Sequence, residues 1–509
     1  MTGPTRNTRS RNGCSQDRLF LIFMSIAIFV SVWNITFVSK YIVSHRSYRY
    51  KENKGDDAHE NTSSPPKIAY AISLMKCGDH QSTPAGMLDA ATILRHSIHE
   101  TSIRNPQSHS KYDYEMYVFV HRQAVACARE LQYVGYNLVV VDPPLNPKDI
   151  QGQFLRDHIG SEWCCGSDEF IKLYAYNLTQ HPLVVHLDLD FMMMKPMDTL
   201  FDAMLMQGKS QAQLQPLWDQ VELQYPEHHD NVVSYAHKNM IEASITRDYP
   251  DIPPGYIPGY QAGFIVLRPN SQVIQKYVDI ILEGNYVPGF EYRKNGWGGK
   301  GYGAFVGAKA MQGIVAYFYD IIQPNTSVEL NSCRYNYMGA DIIYRPGGKA
   351  WMPNKVESHG KCRSNQESCE DCTKTDLNLV YNVHFTVCRK PWTCPSKAFN
   401  SRSGGLLNQD LNPHLINLTK NLRGFSTYID LNLASYEQCM KLHQAWHRYR
   451  NDFEDKLYSI THDSDIFLTR NGEFEKEFFM GHCDDIGKYN FMNIYQNQTT
   501  LSLLYEVWK

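Results

Sequence analysis

Leu183-Val184-Val185-His186-Leu187-Asp188-Leu189-Asp190-Phe191 is an apolar run closed by two carboxylates one residue apart. In an extended chain successive side chains alternate faces, so Asp188 and Asp190 are expected on one side, where a buried strand emerges. Two oxygen donors so placed suit a hard divalent cation, and such a cation neutralises a diphosphate, the leaving group of a nucleotide-sugar. A second triplet, Asp463-Ser464-Asp465, has no apolar strand before it and reads as a solvated loop. Downstream lies His384-Phe385-Thr386-Val387-Cys388-Arg389-Lys390-Pro391-Trp392. An imidazole can complete a metal site built of carboxylate and phosphate oxygens, and Lys390 can neutralise the same diphosphate.

The elements that must position these groups are legible as alternating periods. Ile68 to Ser73 reads as a first strand, followed by a helix through Leu88, Ala91, Leu94 and Ile98. Tyr117–Val120 and Leu138–Val141 read as further strands, so strand and helix alternate up to Asp190. That order predicts an α/β fold with a Rossmann-like, mostly parallel mixed sheet and flanking helices. Ligands of such sheets sit at the carboxyl ends of strands, where Asp188 and Asp190 fall. Phe264–Leu267 then reads as a strand and Val273, Tyr277 and Ile281 as the apolar face of a helix. The stretch 284–304 is rich in glycine and matches no phosphate-binding motif, so a mobile loop bordering the site is expected. Tyr436, Cys439, Leu442, Trp446, Tyr449, Phe453 and Leu457 recur at helical spacing, predicting a helix over about 434–458 that packs on the main body.

The chain has 509 residues and a formal net charge of −3, with no basic stripe to track a phosphate backbone, which argues against a nucleic-acid partner. Leu19 to Val38 carries no charge and is long enough to cross a bilayer. The expected organisation is a cytosolic tail 1–18, a transmembrane signal anchor 19–43, a stem 44–66, a globular domain 67–395 and a C-terminal extension 396–509. Basic residues flank the span on both sides, so charge alone does not orient it. Of 13 cysteines only Cys14 precedes the span, and the sequons at Asn61, Asn177, Asn325, Asn417 and Asn497 all follow it. These patterns predict a lumenal body in the Golgi or endoplasmic reticulum, held by disulfides. Cys369 and Cys372 have zinc-finger spacing, but an oxidising lumen favours disulfides there too. The pairing of the adjacent Cys164 and Cys165 cannot be deduced from sequence.

Three stretches together resemble glycosyltransferase family 8, the glycogenin-like retaining enzymes with the type A glycosyltransferase fold. They are Lys172-Leu173 ahead of Asp188-Leu189-Asp190, Gln261-Ala262-Gly263-Phe264 opening a strand, and His384-Phe385 followed by Lys390-Pro391-Trp392. Their order agrees over about residues 67–395, and the resemblance does not extend into the C-terminal region. It implies that Asp188, Asp190 and His384 bind Mn²⁺, that Lys172 and Lys390 contact the phosphates of a UDP-sugar donor, and that Tyr70, Ala71, Ile72 and Ser73 border the nucleotide base. Leu189, Gln261 and Gly263 would complete the donor site, Gln312 would lie near the sugar as the candidate catalytic residue, and a glycan or glycoprotein would be the acceptor. Two positions depart from the family pattern: Met311 stands where an acid is usual, and Gln261 where an asparagine is common. A thioether cannot replace a carboxylate, so a rival expectation is a glycosyltransferase-like binding protein without transfer, and a second is a structural lumenal module whose cysteine cluster holds zinc. Acceptor specificity would come from 205–258 and 284–304, where Trp218, Tyr225, Tyr235, Tyr256, Tyr260, Tyr286 and Trp297 could stack on sugar rings.

Overall fold

The computed structural model describes residues 64–78, 84–161, 166–206, 209–238, 240–252, 256–291, 293–340, 342–344, 356–394 and 433–462, and short pieces at 482–483, 488–492, 504 and 506–508. The expected tail, membrane anchor and most of the stem lie outside these residues, as do Cys14, Cys164, Cys165, Asp463–Asp465 and the sequons at Asn61, Asn417 and Asn497. Among the described residues no helix is long and apolar enough to cross a membrane.

The strands are β1 (Lys67–Leu74), β2 (Asp113–His121), β3 (Tyr136–Val141), β4 (Val184–Leu187), β5 (Phe191–Met193), β6 (Ala243–Arg247), β7 (Tyr260–Leu267), β8 (Tyr286–Val287), β9 (Gly296–Trp297), β10 (Ser327–Glu329) and β11 (Asn382–His384). Seven of them form the main sheet, in the order β10-β6-β7-β4-β1-β2-β3. β1 pairs in parallel with β2 and β4, and β2 with β3, while β7 runs antiparallel to both β4 and β6. The sheet is therefore mixed and mostly parallel. β4 lies in the middle, buried on both faces, which is why its sequence is a continuous apolar run rather than an alternating one. The chain moves outward from β1 through β2 and β3, then returns to place β4 on the other side of β1, so the carboxyl ends of β1 and β4 flank the point where strand order reverses. Because β7 is antiparallel, its first residues, Tyr260 to Gly263, reach that same edge.

The helices that matter here are α1 (Pro84–Glu100), α2 (Asp198–Leu205), α3 (Gln211–Trp218), α4 (His229–Lys238), α5 (Ser271–Glu283), α6 (Met311–Tyr317) and α7 (Leu433–His462). One apolar layer packs α1 and α7 against one face of the sheet, and another packs α5, α6 and the three-ten helix Gly166–Asn177 against the opposite face. In α7, Tyr436, Cys439, Leu442, Trp446, Phe453 and Leu457 are all buried, as their helical spacing requires. Each such side chain contributes roughly 1.5–3 kcal/mol by leaving water.

The segment 205–258 holds α3, α4 and β6 between irregular stretches, and the segment 284–304 is irregular apart from the two-residue strands β8 and β9, with Trp297 fully buried. Glycine permits close backbone packing at one point of it: Gly296 has φ +71°, and a Cβ on it would lie 2.1 Å from the carbonyl carbon of Tyr302. Trp218, Tyr260 and Trp297 are core residues, so packing rather than sugar stacking accounts for them.

All ten described cysteines pair: Cys77–Cys127, Cys333–Cys372, Cys362–Cys369, Cys388–Cys439 and Cys394–Cys483. Cys369 and Cys372 go to different partners, which removes the zinc reading of their spacing. The two described sequon asparagines, Asn177 and Asn325, are exposed.

Candidate metal and diphosphate site

Asp188 and Asp190 lie just beyond β4, in the turn that leads to β5, and not in the strand itself. Strand alternation therefore does not bring them together; the turn does. Its start is fixed by Asp188 N–H donating to Gly263 O at 2.9 Å, and its end by Phe385 N–H donating to Asp190 O, also at 2.9 Å. The second bond extends the short antiparallel pairing of β5 with β11, which sets His384 beside Phe191 with their rings stacked at 4.4 Å. His384 Nε2 consequently lies 3.5 Å from Asp190 Oδ1 and 4.0 Å from Asp188 Oδ2. One ligand atom from each of the three residues falls within 4.8 Å of the others.

The donor set fits a divalent cation on three counts. Two carboxylates and one imidazole nitrogen are the mixture such ions accept. Gly263 keeps the cradle open, because a Cβ there would meet Gln261 Oε1 at 2.7 Å, His384 Cε1 at 2.7 Å and Asp188 Oδ2 at 2.8 Å. Asn336 supplies the third count: its Oδ1 accepts from His384 Nδ1 at 3.0 Å, which leaves the Nε2 lone pair facing the carboxylates. Asn336 is itself fixed, donating through Nδ2 to Thr246 Oγ1 at 2.8 Å and through its backbone N–H to Asn382 Oδ1 at 2.7 Å. Replacing Asn336 by Ala should weaken Mn²⁺ binding about 10- to 100-fold, as measured by titration of the free ion by electron paramagnetic resonance. Unchanged affinity would reduce Asn336 to a packing role.

Two lysines border the carboxylates. Lys172 Nζ is 2.8 Å from Asp188 Oδ1, and Lys390 Nζ is 3.6 Å from Asp190 Oδ2. Burial alone would raise the Asp190 carboxyl, but Lys390 and His384 outweigh it and hold the group well below the usual carboxylate range. Lys172 comes from the three-ten helix Gly166–Asn177, which packs over β1, β2 and β4 and buries Phe170 and Leu173. A residue that sequence reasoning missed, Glu169, stands three positions earlier on that helix. Its Oε1 accepts from Lys172 at 3.0 Å, and its Oε2 accepts from the backbone N–H of Met311 at 3.4 Å. Only the i,i+3 spacing of Glu169 and Lys172 was visible in the sequence; the meeting with α6 is a long-range contact.

The remaining expected donor residues divide in two. Gln261 and Gly263 are at the site, with Gln261 Oε1 accepting from Gly263 N–H at 2.7 Å. Ser73 is half-buried at the edge, its Oγ 2.9 Å from His186 Nε2, and with Leu189, Leu74, Met87 and Leu131 it lines a cavity of about 20 Å³. Tyr70, Ala71 and Ile72 are core residues of β1 whose side chains are buried in the two layers. Gln312 is the second residue of α6, and its Oε1 is buried without a hydrogen-bond partner. Met311 is buried among apolar neighbours and brings no polar side-chain atom to the site. A second ligand-like group, His96, Glu100 and Asp452, is already bridged by Lys456, whose Nζ is 2.6 Å from Glu100 and 2.9 Å from Asp452; it ties α1 to α7.

No family model matches the chain, and no curated protein matches it. Among solved structures the chain is similar to the apo form of mouse xyloside xylosyltransferase 1, with 12% identity over 63% of this chain and 98% of that one and a TM-score of 0.32. It is similar to the galactosyltransferase LgtC in complex with donor and acceptor sugar analogues, with 13% identity, coverage of 64% and 89%, and a TM-score of 0.28. The glycosyltransferase GlyE of Streptococcus pneumoniae TIGR4 shares 12% identity, with coverage of 80% and 68% and a TM-score of 0.33. Likeness at this level assigns the chain to no family.

Proposed function

We propose that the chain is a metal-dependent glycosyltransferase that moves a hexose from a UDP-sugar to a glycan or glycoprotein acceptor, with retention of configuration and Mn²⁺ held by Asp188, Asp190 and His384. The observation that carries this reading is the convergence of those three ligand atoms within 4.8 Å at the point of strand-order reversal, with a lysine on either side. A bound divalent cation would supply Lewis-acid charge to the diphosphate. Lys172 and Lys390 bring positive charge to the same edge, where they neutralise the diphosphate as it leaves and the sugar becomes oxocarbenium-like. Glu169 keeps Lys172 directed toward Asp188, and the half-exposed Ser73 marks the edge to which the base would come. The paired cysteines, the exposed Asn177 and Asn325, and the uncharged run Leu19–Val38 support placement as a single-pass protein of the Golgi or endoplasmic reticulum with a lumenal body.

The test is release of UDP from a panel of UDP-sugars by the full-length chain, with Mn²⁺ or with chelator. Turnover of one donor that chelation abolishes is the expected result and identifies the sugar. Inverted product configuration would remove the retaining mechanism. Met311 favours one second reading, a binding protein without transfer; metal-dependent UDP binding with no turnover of any donor would establish it.

A further inference from the structure

The segment that carries His384 and Lys390 is gripped from behind by α7, an element beyond residues 67–395, where the sequence resemblance lies. Four contacts make the grip. Cys388, two residues before Lys390, is disulfide-bonded to Cys439. One turn along α7, His443 Nε2 is 2.6 Å from the carbonyl oxygen of Arg389. The His443 ring stands edge-on to Phe385 at 5.8 Å, and Trp446 lies against Trp392 with ring centroids 6.0 Å apart. Cys439, Leu442, His443 and Trp446 thus face the segment at helical spacing.

The carbonyl of Arg389 belongs to the peptide that enters Lys390. On the other side of Lys390, its own carbonyl accepts from Thr393 N–H at 2.9 Å and from Thr393 Oγ1 at 2.6 Å. Both peptide planes flanking the Lys390 Cα are therefore fixed, one by a local turn and the other by α7. Buried His443 is neutral, its imidazole pushed down to about 3 by loss of solvent, so its Nε2 can carry the proton that the carbonyl accepts. A long, flexible side chain such as lysine gains affinity for an anion when its backbone is held in advance.

We propose that α7 is part of the donor site and that His443 is a positioning residue, setting the Arg389–Lys390 peptide so that Lys390 meets a nucleoside diphosphate. This rests on the reading of Lys390 as a diphosphate contact. It also gives the C-terminal extension a role in ligand binding as well as in stability.

The experiment is calorimetric titration of the full-length chain with UDP in saturating Mn²⁺, alongside Mn²⁺ binding without nucleotide. His443→Leu, which keeps apolar bulk but cannot donate, is expected to weaken UDP about tenfold while Mn²⁺ affinity stays within about twofold. His443→Gln, whose amide can reach the same carbonyl, is expected to recover most of the UDP affinity. A merely structural role would lower the unfolding temperature of both variants and leave UDP affinity intact, so parental UDP binding by His443→Leu would overturn the proposal. Should His443→Leu not fold, His443→Phe, which keeps a ring but cannot donate, takes its place: in the folded chain, parental UDP affinity overturns the positioning role, and UDP affinity weakened about tenfold with Mn²⁺ affinity unchanged supports it. Lys390→Ala separates the two levels. If it binds UDP as the parent does, the diphosphate reading of Lys390 itself falls; if it alone weakens UDP while the His443 variants do not, only the inference about α7 falls.

Discussion

Asp190→Asn should lower metal-dependent UDP release by about 10³-fold or more, with the unfolding temperature within about 3 °C of the parent. Asp190 is buried, faces His384 Nε2 at 3.5 Å and Lys390 at 3.6 Å, and its carboxyl is held well below the usual range, the charge of Lys390 opposing the effect of burial. An asparagine keeps the shape but removes one of the two carboxylates, so both the affinity for a divalent cation and the electrostatic balance of the two lysines change at once. Asp188 cannot compensate, because its Oδ1 is occupied by Lys172 at 2.8 Å. Measurement at saturating Mn²⁺ separates lost affinity from lost chemistry. A variant that retains more than a tenth of parental turnover under those conditions and also binds Mn²⁺ as the parent does would show that Asp190 is not a ligand of consequence.

Arg450→Leu should destabilise the body by about 3–5 kcal/mol in urea unfolding at pH 8. Arg450 is fully buried on α7, with Nη2 3.3 Å from Glu454 Oε1, Nη1 3.9 Å from Asp89 Oδ2 on α1, and its guanidinium over Tyr489 at 5.0 Å. Removing it leaves two carboxylates in the core without their cation, which costs more than the added apolar contact returns. The deficit should depend on pH in a definite direction. Burial already raises Asp89 to about 7, with Arg450 opposing the rise, so without the arginine Asp89 moves further up. A carboxyl whose native value exceeds its unfolded value, about 3.9, destabilises above the native value and is relieved as the native state takes up a proton on acidification. The gap between variant and parent should therefore shrink between pH 8 and pH 5. A gap that is constant across that range would mean that Asp89 does not titrate with Arg450.

The sequence made the chemistry visible where it was local. Asp188 and Asp190 close an apolar run, and a run of that kind ends at a sheet edge in any α/β order, so their position at the edge followed from the pattern. The strands from Ile68 to Val141, the helix after Asn270 and the stripe of α7 are likewise legible from period alone. Asn336, Glu169 and His443 were not, because each acts on a group 48, 142 and 54 positions away respectively, and no spacing rule reaches that far. The stretch 284–304 was legible as irregular, but its packing was not. Glycine signals backbone freedom in a solvated chain, yet Gly296 uses that freedom to sit against the backbone of Tyr302 and to bury Trp297. The direct reach of Asp188 and Asp190 was expected from strand alternation, but arises from the turn after β4, whose geometry depends on two hydrogen bonds from distant strands.

The disulfides of the His384–Lys390 region join residues far apart in the chain: Cys388 to Cys439 over 51 positions and Cys394 to Cys483 over 89. During synthesis the amino-terminal strands and the Asp188–Asp190 turn emerge long before these partners do. The loop that bears His384 and Lys390 can be locked only after residue 439, and its end at Cys394 only after residue 483, has left the ribosome. A chain truncated between residues 391 and 438 would possess both aspartates and both lysines yet lack Cys439, the partner that Cys388 needs. The closing of this loop is therefore a late event of maturation that waits on the oxidation of Cys388 with Cys439 and of Cys394 with Cys483.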